Sequence, residues 1–425
     1  MRMTTNTSLG ALAVAIALPS AAWAAGFQIN EHNAKATSRA GAVAATIDDP
    51  SAIFYNPAGL ASIKGTEVTL GVALIAPAND YTGIGYNNPT GAPVTQATET
   101  GMVPVPNIYI AREISPKAFF GVGFYAPYGL GIKWADDWVG RTVVQELSLR
   151  TFFFTPSIGL KLTDEVQVGV SVSLVPSTLY LRRALGDASG EALFPNGGAG
   201  DGSVEMSASA FGVGANAGVQ VKLIDNLRIG FSYRSAVGLD FAGNADFTLP
   251  EGFTSSIQSR FPDGGVTGQL TLPHSFALGI GWVDGPLTVE VTSNLTLWQS
   301  YDELRIGFDE GRPQPESVAP RDWKAAPTFR LGGEYEIEKN YFARLGFAYD
   351  ITPVPDSTID PTLPDNDRVI FSLGVGANFE PISVDVGYMG VIVLSRDSND
   401  SVNFAQGSYG GGLVSVIAAS VGVSI

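Results

Sequence analysis

The sequence predicts an all-β protein, a 14-stranded antiparallel transmembrane β-barrel with an N-terminal hatch (plug) inside the lumen. Three observations predict this fold. Apolar residues alternate with small or polar residues along most of the chain, as they do in strands. Long and short connections follow each other in strict alternation between those segments, which is typical of outer-membrane barrels. Charged residues make up only 16% of the 425 residues, against about 25% in soluble proteins.

Composition excludes several classes of protein. No segment after residue 24 has the ~18 uninterrupted apolar residues of a membrane helix. The absence of cysteine excludes disulfides, zinc knuckles, iron–sulfur clusters and thiol nucleophiles. Only two histidines, His32 and His274, are present, and the net charge of −16 opposes nucleic-acid binding, which relies on Lys and Arg. We therefore expect no metal, no cofactor and no nucleic-acid partner.

The chain begins with the features of a secretory signal peptide. Residues 1–24 carry Arg2, then an apolar run from Leu9 to Leu18, and end in the small-residue pattern around Ala24. Cleavage is expected before Ala25. An N-terminal membrane anchor is the alternative, but the apolar core is short for a membrane span. An exported chain without cysteine and rich in Gly and aromatic residues fits the outer membrane of a Gram-negative bacterium.

Residues 25–65 do not alternate and are predicted to form the hatch. Small residues cluster there, interrupted by Asp48-Asp49-Pro50 and by Asn56-Pro57-Ala58-Gly59. Such a segment favours short helices and turns. Its expected place is the lumen, because lumen width grows with strand number and fourteen strands leave room for a plug.

Residues 66–425 are predicted to form the barrel. The predicted strands are 66–76, 103–113, 117–127, 143–161, 165–183, 204–223, 227–240, 269–282, 286–299, 325–337, 341–350, 368–379, 382–395 and 412–425. The short connections are predicted at 114–116, 163–164, 224–226, 283–285, 338–340 and 380–381, and the long ones near 77–102, 128–142, 184–203, 241–268, 300–324, 351–367 and 396–411. An even strand number returns both ends of the barrel to the periplasm. The sheet must close, because lipid offers no partners to backbone polar groups.

One face of each strand is apolar and the other is small or polar. In 227–234, for example, Phe231 shares a face with Tyr233, whereas Arg234 lies on the other face with Ser232. The apolar face is expected to meet lipid and the other face to line the lumen. The charged lumenal candidates are Arg228, Arg234, Arg330, Glu334, Glu336, Arg344 and Asp385. The alternative is that they pair with each other merely to fill the interior.

Several motifs, in order along the chain, resemble the FadL family of outer-membrane hydrophobic-compound transporters, which includes TodX-like members. The presumed mature start, Ala25-Gly26-Phe27-Gln28-Ile29-Asn30, and the later Asn56-Pro57-Ala58 are similar to that family's hatch. Residues 128–141 are similar to its third-strand region, and residues 353–356 and 363–368 to a late external loop. Together these motifs span essentially the whole mature chain.

The resemblance implies a function and a set of site residues. The implied function is uptake of hydrophobic compounds, with long-chain fatty acids as the first expectation and aromatic hydrocarbons or a non-specific porin as alternatives. The ligand would bind inside the barrel near Ala25 and Phe27 and leave sideways through the wall. The implied partners are the hydrophobic ligand and outer-membrane lipid and lipopolysaccharide, and the barrel would be a monomer. By position alone, the basic residues expected at the ligand headgroup are Arg182, Arg183, Arg321 and Lys324.

The resemblance also implies a lateral opening at the third strand. That strand contains Gly121, Gly123, Pro127 and Gly129. Pro lacks a donor for the ladder, and Gly weakens a strand or marks a bulge. The alternative is an ordinary strand end at Pro127.

Three other interpretations concern catalysis, metal binding and the outer loops. Catalysis is disfavoured because His274 and Ser275 are adjacent strand residues and point to opposite faces. The acidic residues 356, 360, 365 and 367 could bind Ca²⁺, although solvated loop charge is the simpler interpretation. Apolar residues of the outer loops, among them Trp134 and Trp138, are expected to give an apolar surface at the outer mouth, or else to anchor the barrel at the lipid headgroups.

Overall fold

The structure is a computed structural model that describes residues 26–186, 202–250, 261–309, 316–404 and 406–425. The predicted signal peptide and Ala25 lie outside the described residues. The described chain forms a closed barrel of fourteen antiparallel strands around an N-terminal hatch, with a small sheet above the barrel mouth. No helix in these residues has both the length and the apolar character needed to cross a membrane.

The barrel strands are numbered β1 to β14 in chain order. Continuous strands are β1 (Thr66–Ala76), β2 (Val103–Ser115), β5 (Val166–Ala184), β6 (Ser203–Ile224), β11 (Tyr341–Asp350), β12 (Arg368–Phe379), β13 (Ile382–Val393) and β14 (Leu413–Ser424). Strands in two segments are β3 (Ala118–Tyr125, Gly129–Lys133), β4 (Glu146–Thr151, Phe153–Lys161), β7 (Leu227–Arg234, Val237–Thr248), β8 (Gly264–Leu272, His274–Asp284), β9 (Leu287–Leu297, Glu303–Phe308) and β10 (Glu316–Pro320, Ala325–Glu338). The predicted strand number and order are confirmed. The predicted long loop 300–324 is partly wrong, since β9 and β10 extend into it.

Pairing of the first strand with the last closes the barrel. Leu70 of β1 lies opposite Val421 of β14, and the same strand bonds to β2 on its other edge. This pairing removes the free edges of the first and last strands, because lipid offers no partners to unpaired backbone groups. Outward side chains are apolar and exposed, as at Leu345 and Val375, so the predicted apolar face is the outer face of the barrel.

The hatch fills the lumen with short elements. They are α1 (Ala34–Thr37), α2 (Ala52–Tyr55) and a 3₁₀ turn at Pro57–Ser62. The Asn56 side chain accepts a hydrogen bond from the Ala58 N–H (3.2 Å) and donates to the carbonyl oxygens of Ala44 (2.7 Å) and Val219 (3.2 Å). Asn56 thus caps the 3₁₀ turn and ties it to β6. The wall is glycine-rich at this contact because a side chain at Gly218 would overlap the Asn56 amide.

Several lumenal charges pair with each other, as the alternative interpretation predicted. Arg344 of β11 binds Glu334 of β10 and, at 2.6 Å, Asp385 of β13. Arg39 of the hatch lies 3.8 Å from Glu290 of β9, and both side chains are almost fully buried. The paired charges therefore hold strand to strand and hatch to wall.

Above the mouth, two distant loops meet in a four-stranded sheet. Its strands are Asp80–Gly83, Val94–Ala97, Arg396–Asp397 and Gly407–Gly410. Below it, the Trp134 and Trp138 rings stack at 4.3 Å, and both are 0% exposed. The prediction of an exposed apolar surface or a lipid anchor at these tryptophans is therefore wrong. They form the core of the cap, because Tyr81 and Phe404 pack around them.

Candidate functional site

An apolar pocket lies inside the barrel between the hatch and the cap. We call it the leucine pocket. Eight leucines from five strands and one loop line it: Leu130, Leu147, Leu149, Leu179, Leu181, Leu270, Leu304 and Leu363. A mainly apolar lining of this kind is typical of sites for small apolar molecules.

The first described residues of the hatch form one side of the leucine pocket. Phe27 lines it and meets the ring of Trp298 edge-on at 4.6 Å, with Trp323 at 6.0 Å and Tyr301 at 6.1 Å. Gly26 has a φ of +69°, and a Cβ there would lie 2.6 Å from Trp323 and 2.7 Å from Trp298. Only glycine fits this turn, since other residues rarely adopt positive φ and no side-chain space exists. Gly26 thereby places Phe27 in the pocket wall.

The leucine pocket has one buried charged end. Arg321 binds Asp360, and its second Nη donates to Thr362 Oγ1 at 3.3 Å. All three residues line the pocket, and Arg321 is 4% exposed. The guanidinium also lies 5.9 Å from the centre of the Tyr301 ring. A mainly apolar pocket, which Thr267, Gln269 and Arg305 also line, therefore has one buried ion pair and a hydroxyl at this end.

Of the predicted basic residues, Arg321 lines the leucine pocket and the other three lie elsewhere. Arg182 points away from Leu181 and pairs with Asp136 at 2.5 Å. Arg183 lies opposite Val204 of β6, and Lys324 is exposed. None of these three is among the described residues that line the pocket. Strand parity separates Arg182 from the pocket, because neighbouring residues of a strand face opposite sides.

The barrel wall is incomplete beside this pocket. The ladder between β2 and β3 runs as far as Ile108 and Phe124. β3 is interrupted after Tyr125 and continues at Gly129, where it bonds to β4 instead. Among the described pairings, the outer half of β2 from Val103 to Asn107 bonds only to β1. This unpaired stretch between β2 and β3 is the wall gap.

The hatch itself covers the wall gap from inside. Gln28 forms an isolated antiparallel bridge with Tyr128. The Ile29 N–H donates to the Pro127 carbonyl at 2.8 Å, and the Gly129 N–H donates to the Phe27 carbonyl at 3.0 Å. Residues 27–29 thus replace the missing ladder at the interruption. The same three residues connect the leucine pocket, through Phe27, with the wall gap.

The predicted opening residues fall into two groups. Pro127 lies in the interruption and Gly129 at its end, as the prediction placed them. Gly121 and Gly123 do not lie there, since both are in the regular ladder of β3. A side chain at Gly121 would meet Ile53 and Leu60 of the hatch. These two glycines therefore give the hatch room rather than weaken the strand, and that part of the interpretation is wrong.

A buried carboxylate in the late loop anchors the start of the hatch. Asp365 Oδ2 accepts hydrogen bonds from the Gly26 N–H (3.3 Å) and from Thr352 Oγ1 (2.6 Å), and Oδ1 pairs with Arg368. Burial raises the pKa of Asp365 to about 6, although Arg368 acts in the opposite direction. The hatch terminus is thereby held by a group that titrates in weakly acidic solution.

The other loop carboxylates considered for Ca²⁺ have separate partners. Asp356 binds Arg396 at 2.6 Å, and Asp360 binds Arg321. Asp367 accepts from the Thr352 N–H at 2.9 Å. Within the described ranges, no three acidic or histidine side chains converge as metal ligands would. The loop carboxylates fasten the loop to the barrel.

Comparison with known proteins agrees with this architecture. The sequence pattern of the family described as "Outer membrane protein transport protein (OMPP1/FadL/TodX)" matches residues 15–419. The chain belongs to this family. The resemblance predicted from the hatch and loop motifs of the FadL family is confirmed. The protein is therefore an outer-membrane transporter for hydrophobic compounds in a Gram-negative bacterium, and the family consists of transporters rather than enzymes.

Individual relatives cover nearly all of the chain. The long-chain fatty acid transport protein of Escherichia coli K12 is 27% identical over 441 residues, covering 96% of each chain. Outer membrane protein P1 of Haemophilus influenzae is 25% identical and covers 90% of this chain and 89% of its own. A crystal structure of a Pseudomonas aeruginosa FadL homologue superimposes with a TM-score of 0.81 at 21% identity, covering 94% and 99%. The toluene transporter TodX of Pseudomonas putida gives 0.71 at 16% identity, covering 94% and 99%.

Proposed function

We propose that this transporter imports long-chain fatty acids, which bind in the leucine pocket before they leave through the wall gap. The observation that carries the proposal is the pocket's composition, a leucine wall that ends in Arg321 and Thr362. An alkyl chain gains roughly 0.8 kcal/mol for each methylene removed from water. A carboxylate at the polar end accepts charge-assisted hydrogen bonds from the guanidinium, each worth about 1.5–3 kcal/mol.

Asp360 is central to this proposal because it already binds Arg321. An incoming carboxylate must compete with Asp360 for the guanidinium or share it through the remaining Nη. Without Asp360 the guanidinium would be free for the ligand. The substitution Asp360→Asn keeps the shape of the side chain and removes that competition.

A neutral aromatic hydrocarbon is the second candidate, and the same ion pair favours it. Asp360 neutralises Arg321 inside the pocket, so a ligand without charge meets no uncompensated guanidinium there. Phe27, Tyr301 and Trp323 also offer ring edges and faces to an aromatic ligand. The two candidates differ in whether affinity depends on the charge of residue 360.

Binding of oleate and of toluene to purified Asp360→Asn and Arg321→Gln variants separates the candidates. For a fatty-acid carrier, we expect Asp360→Asn to tighten oleate binding about tenfold and Arg321→Gln to weaken it about tenfold, as one charge-assisted hydrogen bond implies. Toluene affinity should stay unchanged in both. If neither substitution changes oleate affinity and toluene binds tightly, the result would favour an aromatic hydrocarbon as the transported compound.

We infer a lateral route from the contacts of residues 27–29. A ligand that pushes Phe27 out of the pocket wall also pulls on the Gln28–Tyr128 bridge, which covers the wall gap. Lateral exit keeps the ligand's apolar surface out of water, at about 25 cal/mol per Å². An aqueous path through the hatch offers no such gain.

The same proposal includes a monomeric barrel in outer-membrane lipid, with lipopolysaccharide as its outer neighbour. Its support is the apolar outward face, which includes exposed side chains on β5, β8 and β12: Val170, Leu278 and Leu373. Lipid alone can cover the apolar outer surface of such a closed barrel, so no second copy of the chain is needed to bury it.

A further inference from the structure

A second cavity lies deeper in the lumen, between the hatch and strands β6 to β10. Polar groups of the wall face it. We call it the amide pocket and define it by Asn216, Ser232, Arg234, Ser275 and Arg330. None of these residues lines the leucine pocket.

Three of the amide-pocket residues form one row across adjacent strands. Asn216 of β6 lies directly opposite Arg234 of β7, and Arg234 lies directly opposite Ser275 of β8. Side chains in such positions have Cβ atoms about 4.5–5.5 Å apart. An amide, a guanidinium and a hydroxyl are therefore presented side by side to the cavity.

The charge of Arg234 has no carboxylate partner among the described ion pairs. One Nη donates to the Phe54 carbonyl of the hatch at 2.7 Å, and the guanidinium lies 4.4 Å from the centre of the Phe54 ring. Its Nε is buried without any hydrogen-bond partner. The guanidinium also interacts with the Tyr128 hydroxyl. A carbonyl, a hydroxyl and a ring face carry no negative charge, and a buried charge is costly unless it is paired with an opposite one.

The other guanidinium of the amide pocket is compensated. Arg330 donates to the Ala40 carbonyl at 2.7 Å and to Asn294 at 3.0 Å, and it interacts electrostatically with Glu31 and Asp350. The unbalanced positive charge thus belongs to Arg234. Consistent with this, burial and then the charge of Arg234 lower the pKa of the neighbouring hatch residue His32 to about 3, which keeps that imidazole neutral.

Asn216 provides an independent indication of a ligand. Its side chain is 5% exposed, faces the cavity, and has no hydrogen-bond partner on either its Oδ1 or its Nδ2. Buried side-chain amides are normally satisfied. An unsatisfied amide beside an unpaired guanidinium marks a site built for a molecule with acceptor oxygens.

We propose that the amide pocket binds one carboxylate group, which accepts hydrogen bonds from Arg234 Nε and Asn216 Nδ2. The carboxylate belongs either to a small free acid or to the acid end of an imported compound. The site does not depend on the proposed import of fatty acids, because the charge of Arg234 requires an anion whatever the protein transports.

The first test uses an isosteric substitution that supplies the carboxylate from the protein itself. In Asn216→Asp the new carboxylate lies opposite Arg234 and occupies the site. Titration of full-length protein in neutral detergent with sodium acetate, at ionic strength held constant with sodium chloride, should show saturable binding to the wild type. Affinity should fall at least tenfold in Asn216→Asp and in Asn216→Leu. The matched control Asn378→Asp, which adds the same charge at an exposed position near a short turn, should bind acetate as the wild type does.

Crystallography locates the anion directly. Crystals of the wild type soaked in 4-bromobenzoate should show an anomalous bromine peak in the amide pocket, and crystals of Asn216→Asp should not. Absence of the peak together with no saturable acetate binding by the wild type would overturn the proposal. Equal acetate affinity in the wild type and both Asn216 variants would overturn it as well.

The source of the carboxylate is decided by uptake measurements. If the acid end of an imported compound passes through the amide pocket, Asn216→Asp should slow oleate uptake and leave toluene uptake unchanged. If only free small acids bind, oleate uptake should be unaffected while acetate binding is lost. Failure of the fatty-acid proposal would instead appear as absence of oleate uptake by the wild type, with acetate binding intact.

Discussion

Replacing Glu290 by Ala should release the hatch from the barrel wall. Glu290 is 0% exposed. Its Oε1 accepts hydrogen bonds from the Ala45 N–H (2.9 Å) and from Thr292 Oγ1 (2.7 Å), and its Oε2 accepts from Thr46 Oγ1 (2.6 Å). Its charged partner is Arg39, at 3.8 Å. One side chain of β9 therefore satisfies three groups of the hatch.

The size of the effect follows from what the substitution leaves behind. Removing one partner of a buried ion pair costs about 3–5 kcal/mol, because Arg39 is left buried without its carboxylate. At 1.4 kcal/mol per factor of ten, the population of a locally detached hatch rises by roughly 10² to 10³·⁵. Glu290→Gln keeps an acceptor for the hatch donors and should show a smaller rise.

Hydrogen exchange at the amides of Ala45 and Thr46 measures this detachment, since local opening governs exchange of protected amides. In Glu290→Ala we expect their exchange to accelerate about 100-fold or more, while amides of β12 keep their protection. Glu338→Ala, at the exposed end of β10, is the matched control and should change neither. Unchanged exchange at Ala45 in Glu290→Ala would refute the assignment of Glu290 as the hatch anchor.

Three further predictions concern the hatch and its contacts. Gly26→Val should abolish ligand binding, since the positive φ and the contacts with Trp298 and Trp323 force Phe27 out of the pocket wall; equilibrium binding of oleate checks this, and wild-type affinity would contradict it. The folded protein holds the Asp365 proton more tightly than an unfolded chain, whose pKa is about 3.9, so this group's contribution to stability should fall as pH rises from about 4 to 6. Unfolding of Asp365→Asn across that range should lack this part of the slope, and an identical slope would contradict the assignment. Deletion of residues 26–64 should leave a barrel that conducts ions in a planar bilayer, and a silent deletion protein would show that the hatch does not fill the lumen.

The barrel can be predicted because its pattern is local. Consecutive residues already show the alternation of faces, as where Phe231 points outward and Arg234 points into the lumen. The order of long and short connections can also be predicted without knowledge of tertiary contacts. The strand segments Glu303–Phe308 and Glu316–Pro320 escape prediction because charged residues obscure their alternation. They lie beyond the lipid, where no apolar face is required.

The interior is harder to predict because it depends on contacts between distant residues. The interpretation of Trp138 as exposed fails because its neighbours Tyr81 and Phe404 come from loops at opposite ends of the chain. Gly121 resembles an opening residue in sequence, yet the reason for a glycine there is Ile53 of the hatch. The lack of hydrogen-bond partners at the Asn216 amide cannot be predicted from the sequence, which indicates only that Asn216 lies on a lumenal face. The alternation of strand faces does contain one usable signal. It predicts that Arg182 lies on the face of its strand opposite to Leu181, and therefore away from the pocket that Leu181 lines.

A reversible disulfide across the wall gap tests whether the ligand leaves sideways through that gap. Gln28 and Tyr128 form a pair flanked by hydrogen bonds on both sides, which is the non-hydrogen-bonded type with Cα atoms about 4.5 Å apart and within disulfide reach. The chain has no cysteine, so Gln28→Cys with Tyr128→Cys, the gap pair, can form only this bond. A control pair, Glu338→Cys with Tyr341→Cys, bridges paired residues at a turn far from the gap.

Uptake of radiolabelled oleate by cells is measured with each double variant oxidised and then reduced, beside oleate binding to the purified oxidised protein. Oxidation of the gap pair should abolish uptake and reduction should restore it. Oleate should still bind to the oxidised protein, and the control pair should transport in both states. Uptake at the same rate in the oxidised and reduced forms of the gap pair would contradict lateral exit through the gap between β2 and β3.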